Sequence, residues 1–340
     1  MKHQSHITRR LHAQHGGTAI WFALCLPLLL ALAALAVDLT RLNLLKAELQ
    51  SAADAAALGG AYSISVPSKE TVDQPYNWTA ARATATQVAA SNVANGNKIT
   101  DATVETGYWN IKDPSKGFRK LTTPVTGDVP AVRVTIAISS NSNSGPVNFF
   151  LAPILGIATT DIAASAIAVT GPPMGGTGIF PFVIDKAIYD ANWHTGDQQS
   201  FTIKNNYPIG KGDGNWSSLN NPDNSRSTIS GIMTTGNTKA LSLNSGTIWI
   251  STGTMDALYQ QADSASYIGK VFAVPVVVNL SANSLQPYTI TAFQITSVDS
   301  KGNPKSITGK FIDGYTFPGL TLGDGSGKLN GAFTAPVLVK

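Results

Sequence analysis

The side chains able to do chemistry are few and poorly grouped. Four of the five histidines, His3, His6, His12 and His15, lie in the first fifteen residues, so His194 is the one imidazole in the rest of the chain. A Ser-His-Asp triad would have to recruit it from beside Trp193, yet no serine sits in the GxSxG turn that exposes a nucleophile. Ser326, in GDGSG, has Asp324 two residues before it where that turn needs glycine. A His/Cys zinc site needs several converging ligands, and Cys25 with His194 cannot supply them. Oxygen donors for calcium stand at Asp213 and Asn215, at Asp223 and Asn224, and at Asp324, but no Glu occupies the twelfth position that an EF-hand loop requires. Asp223-Asn-Ser225-Arg-Ser227 has the DxSxS order of a metal-adhesion loop. That loop follows an apolar strand, whereas Asp223 follows the turn-like Asn220-Asn221-Pro222, so a polar loop or helix cap is the expected reading. No cofactor, no metal and no enzymatic activity are expected.

The rest of the composition narrows the class further. Only 13% of the 340 residues are charged and 43% are hydrophobic, enough apolar material to exclude wholesale disorder. The net charge of +4 is concentrated in Lys2, Arg9 and Arg10, and beyond Asp38 the chain has no basic run, so no nucleic-acid partner is expected. A single cysteine rules out a disulfide framework.

The elements that could position a function begin with a membrane segment. Residues 16–37 carry no charge, and the nineteen residues 19–37, as a helix, span the roughly 30 Å of a hydrocarbon core. The anchor residues are Ala19, Trp21, Phe22, Leu26, Pro27, Leu30, Leu35 and Val37, with the lipid bilayer as partner. Three cations before the run place the N-terminus in the cytoplasm and the body outside. Ala34-Leu35-Ala36 also reads as a signal-peptidase site, although the run is longer than a usual cleavable core. Residues 38–61 continue as a stem helix of strong helix formers ending at Gly59-Gly60. Leu42, Leu45, Leu49, Ala52 and Ala56 alternate at spacings of three and four and line one face. Two readings of that stripe stand: packing on the chain's own domain, or pairing with another envelope helix or a second copy of this one.

His15-Gly16-Gly17-Thr18-Ala19-Ile20, Leu26-Pro27-Leu28-Leu29, Ala36-Val37-Asp38-Leu39-Thr40-Arg41-Leu42 and the Ala-rich block from Leu49 to Leu58 resemble the N-terminal module of TadG-like proteins of the Tad (tight adherence), or Flp pilus, assembly system. The likeness is densest over residues 9–61. It implies a single-pass protein of the bacterial inner membrane with a periplasmic body, acting as a non-enzymatic accessory of pilus assembly and contacting other assembly proteins. The alternative is a minor pilin or a surface adhesin binding glycans through Trp193, Trp216 or Trp249. Related pseudopilins carry a Glu five residues after the processed glycine; counting from Gly16, this chain has Trp21 there. That departure argues against pilin-type processing.

Beyond the stem the expected fold class is α+β. A second helical stretch over residues 76–93 and alternating strands at 103–109, 131–139 and 162–170 make a small α+β module within 38–170. Residues 146–156 (PVNFFLAPILG) read as a buried loop and turn, with an exposed membrane-facing or partner patch as the other option. Gly/Pro-rich residues 171–178 read as a linker, and residues 179–340 as a mainly β domain, a sandwich or small barrel, with one short helix near 255–265. The basic tail is residues 1–15.

Overall fold

A computed structural model describes residues 17–66, 76–120, 123–193, 199–206, 213–253, 255–280, 284–324 and 330–340. The basic tail, His194 and Ser326 lie outside the described residues.

Helix α1 (Gly17–Ser63) runs uninterrupted for 47 residues through Pro27. Proline is tolerated in an apolar helix of this kind. Residues 20–30 are exposed on every side, and from about Ala34 onward one side of the helix lies against the body. Helix α2 (Trp78–Ala90) starts where the Asn77 side chain accepts the Ala80 N–H, and it buries Trp78, Ala81, Ala85 and Ala89 against α1. The alanines let the helix backbones approach closely. A Cβ added at Gly60 would stand 2.9 Å from the Ala85 Cβ and 3.0 Å from the Ala81 carbonyl.

After a small hairpin, β1 (Val93–Ala94) with β2 (Asn97–Lys98), come the strands of a sheet: β3 (Thr103–Asn110), β4 (Phe118–Lys120) and β5 (Asp128–Ile138). A second hairpin, β6 (Val147–Asn148) with β7 (Thr159–Thr160), precedes β8 (Ile162–Val169). The alternating Val132, Val134, Ile136 and Ile138 of β5 face the helices, as period two demands. On the far face Glu105 is bridged to Arg133 and Lys120.

The stretch expected to be a linker is instead structural. It contains β9 (Pro173–Gly176), a largely buried strand held between two others. Then follow β10 (Phe182–Asp185), α3 (Lys186–Asn192), β11 (Phe201–Lys204), β12 (Gly214–Leu219), α4 (Arg226–Thr235), β13 (Leu241–Ser242) and β14 (Ile248–Ile250). The chain continues through α5 (Asp256–Ala262), β15 (Val271–Val277), β16 (Ser284–Leu285), β17 (Pro287–Asp299), β18 (Ser306–Phe311), β19 (Tyr315–Phe317), β20 (Leu320–Leu322), β21 (Ala332–Thr334) and β22 (Val337–Leu338).

This half is mainly β with several sheets, so the whole is α+β. The largest sheet has the order β11-β18-β17-β15-β10-β12-β14-β16 and is open, with only β10 and β15 parallel. One face buries Phe182, Trp216 and Phe293 under α3, α4 and α5. The other packs Val183, Ile290 and Ala292 against the small sheet β13-β9-β20. Strand β22 crosses back to complete the first sheet, whose order is β22-β8-β5-β3-β4.

Candidate functional site

The residues with chemical potential do not converge. Among the described residues no group of three or more His, Cys, Asp or Glu side chains comes together. The DxSxS segment is the N-cap of α4: Ser225 Oγ accepts the Thr228 N–H at 3.4 Å, and Asp223 accepts the Ser225 N–H and the Thr228 hydroxyl. Those bonds, the Thr228 hydroxyl first, hold the Asp223 carboxyl below the usual range. Asp324 is bridged to Lys112 at 2.8 Å. Asp185 lies at a shallow hollow beside α3, but it is buried and its oxygens accept the N–H groups of Ala187 and Leu280. Of the candidate glycan-binding tryptophans, Trp216 is fully buried, while Trp193 and Trp249 are half-buried, Trp193 stacking on Tyr189.

The other candidate is the long helix α1. The anchor residues Trp21, Phe22, Leu26, Pro27, Leu30, Leu35 and Val37 are all exposed, Trp21 at 71%; for Ala19 only the helical backbone is described. A helix that is apolar all round and uncovered by its own protein suits a lipid environment. One turn higher the pattern changes. Leu45, Leu49, Ala52 and Ala56 are buried in one core with α2, β5 and β8, and Leu42 packs at its edge. The stripe therefore faces this chain's own module, and a partner helix would have to displace that module to reach it. The opposite face, with Val37, Thr40, Leu44, Ala47 and Ser51, is exposed and uncharged.

At the junction of the two regimes sits Asp38, only 2% exposed. One carboxylate oxygen accepts the Phe150 N–H at 2.9 Å; the other accepts those of Leu151 at 3.1 Å and Ala152 at 2.9 Å. Three backbone donors, Phe150 first, hold this carboxyl below the usual range against the opposing effect of burial. Arg41, one turn on, donates to the Asn148 carbonyl at 2.7 Å and to the Asn95 side chain at 3.1 Å, and its guanidinium lies 4.6 Å from the centre of the Phe150 ring. Glu48 accepts the Asn95 N–H. Asp38, Arg41 and Glu48 thus fasten the loops 92–97 and 148–152 to one side of α1.

The loop expected to be buried, 146–156, is largely exposed and apolar. Phe150 is 68% exposed, and Leu151 and Ile157 are exposed too. Among its apolar residues whose side chains are described, Val147 alone is buried in the module core. An apolar cavity of about 390 Å³ separates the loop from the anchor, walled by Pro27, Leu30, Ala34 and Leu35 on one side and by Leu151 and Ala152 on the other. Asp38 and Arg41 were invisible as site residues when read only as charges flanking an apolar run. Their signal was position: a carboxylate one residue beyond a membrane segment must find donors, because an unpaired charge there is costly.

Two family models match stretches that overlap at residues 59–63. Residues 16–63 match Flp pilus-assembly TadE/G-like, and residues 59–168 match Tad-like Flp pilus-assembly. Together they cover α1, α2 and the sheet through β8, stopping short of the larger β region. No curated protein and no solved structure matches the chain.

Proposed function

Residues 16–168 belong to the Tad/Flp pilus-assembly family, and from that premise we propose that the chain is a non-enzymatic accessory of Flp pilus assembly. Residues 20–37 hold it in the bacterial inner membrane, residues 1–15 are cytoplasmic, and the body works in the periplasm through protein–protein contacts. The observation that carries the reading is the continuity of α1. A helix bare and apolar over its first half becomes, without a break, the spine of a folded module. Such a rod transmits position from the bilayer to the body, which is a scaffold's task.

Contact with other assembly proteins falls to the exposed face of α1 and to the β half, because the stripe from Leu42 to Ala56 is covered by the chain itself. A periplasm-active reporter fused after Lys340 is expected to be active, with protease added to spheroplasts reaching the body while the protein fractionates with membranes. A soluble cytoplasmic protein would refute both location and role. Mature protein beginning at Gly17 or Thr18 would favour the minor-pilin alternative, and a start at Val37 would mean a cleaved signal peptide.

A further inference from the structure

We propose that the loop from Phe149 to Ile157 is a second, non-spanning membrane contact: it dips into the outer leaflet beside α1, with Asp38 as the clip that makes this tolerable. The inference rests on the reading of residues 20–37 as a membrane anchor.

Depth is the first argument. Leu151 and Ala152 face Ala34 and Leu35 across the cavity, and Ala34 is a full helical turn below Asp38, about 6 Å nearer the bilayer centre. If the anchor is in lipid, these loop residues are at the level of the acyl chains. Composition is the second. No charged residue occurs from 134 to 160, and Phe150, Leu151 and Ile157 point away from the protein core. In water that patch would be a liability; at the boundary of a leaflet it is the apolar face of an interfacial segment.

The third argument is independent of both. Irregular backbone enters hydrocarbon only when its polar groups are satisfied from within the protein. Asp38 takes the N–H groups of Phe150, Leu151 and Ala152. The Phe149 N–H bonds to the Ala158 carbonyl, Gly156 to Pro153 and Ile157 to Ala152. Pro153 has no N–H to satisfy. Arg41 covers the Asn148 carbonyl and stands at headgroup height, its charge next to the carboxylate. Asp38, on the anchor helix itself, thus takes three successive N–H groups of the loop.

The test uses the full-length protein in vesicles of phosphatidylethanolamine and phosphatidylglycerol, with Cys25→Ser as background. Nitroxides are placed at Phe150→Cys, Ile157→Cys, Leu30→Cys in the anchor, and the exposed Asn141→Cys. The loop labels should collide more with oxygen than with a water-soluble nickel chelate, at roughly 5–10 Å depth, while Asn141→Cys reports water. If Leu30→Cys reports lipid but both loop labels report water, the loop proposal fails and the anchor stands. If Leu30→Cys reports water, the anchor reading falls and takes the proposal with it. Loop labels shielded from both reagents would mean that a protein covers the loop, which also overturns it. Adding Asp38→Ala to Phe150→Cys should raise nickel accessibility several-fold with Leu30→Cys unchanged; no rise would remove Asp38 as the clip. The labels with Asp38 intact decide the loop's location even where Asp38→Ala fails to accumulate.

Discussion

Leu44 and Leu45 are neighbours in sequence on different faces of α1, one exposed and one buried, and the same substitution at each separates core from surface. Leu45 is 3% exposed and lies in the core shared with α2 and the sheet; Leu44 is 62% exposed. Leu45→Glu forfeits the packing of a buried leucine, about 2–5 kcal/mol by the large-to-small scale. It also buries a carboxylate with no partner, at a further cost of several kcal/mol or a raised pKa. Against a typical total stability of about 5–15 kcal/mol, that is enough to empty the native state and expose the chain to proteolysis. Leu44→Glu should stay within about 0.5 kcal/mol, because its two charged neighbours a turn away, Arg41 and Glu48, act in opposite senses by a few tenths each at most. The assays are steady-state protein level in membranes, the thermal unfolding midpoint of the detergent-solubilised protein, and counts of surface pili. Leu45→Glu should vanish from membranes. Leu44→Glu should accumulate normally and lose piliation if the exposed face meets a partner. Normal accumulation and an unchanged midpoint for Leu45→Glu, with pili absent, would refute the core assignment and make the stripe a partner surface after all.

Three other outcomes are expected. Gly60→Ala should lower the unfolding midpoint despite the better helix former, because overpacking between α1 and α2 costs about 1–3 kcal/mol where a Cβ meets Ala85, Ala81 and Val132; Gly231→Ala, with nothing near its Cβ, should gain about 0.5–1 kcal/mol by calorimetry. The bonds of Glu105, to Lys120 first and then Arg133, hold its carboxyl below the ordinary value, so its stabilisation is complete above about pH 4.3 and is lost as pH falls through the depressed folded value; Glu105→Gln should flatten that acid limb of the stability curve. Deleting the prepilin peptidase should leave the protein's mass unchanged by intact mass spectrometry, because Trp21 cannot provide the carboxylate.

The sequence made the long elements legible and the close contacts illegible. Helix α1 and strands β3, β5 and β8 follow from periodicity, and α5 from its short helical run. Residues 171–178 misled because glycine suggests slack. Gly175 and Gly176 have φ of +153° and +136°, and added Cβ atoms would fall 2.0 Å from the Leu241 carbonyl oxygen and 2.4 Å from that of Gly319. The glycines are there to let two strands approach, not to bend freely. Strand β12 shows no apolar alternation in the sequence because Asn215, Ser217 and Ser218 are polar. They are fully buried, with Asn215 donating to the Ser251 carbonyl and Ser217 to that of Trp249, so burial does not show as hydrophobicity. The loop 146–156 misled in the opposite sense: an apolar run was read as interior when the structure turns it outward beside the anchor.

Strand β22 sets an order of events. It pairs with β8 through Val337–Val169 and Leu338–Ala168, and the Ile167 N–H reaches the Lys340 carbonyl at 2.7 Å. The stem module therefore has an unmet edge until residues 337–340 have been made. During synthesis β8 waits as an open strand, the kind of edge to which another chain can add, and its proper mate comes from far along the sequence, a slow closure. Completion of the sheet thus ties the stem module to a strand that lies beyond the entire larger β region in sequence.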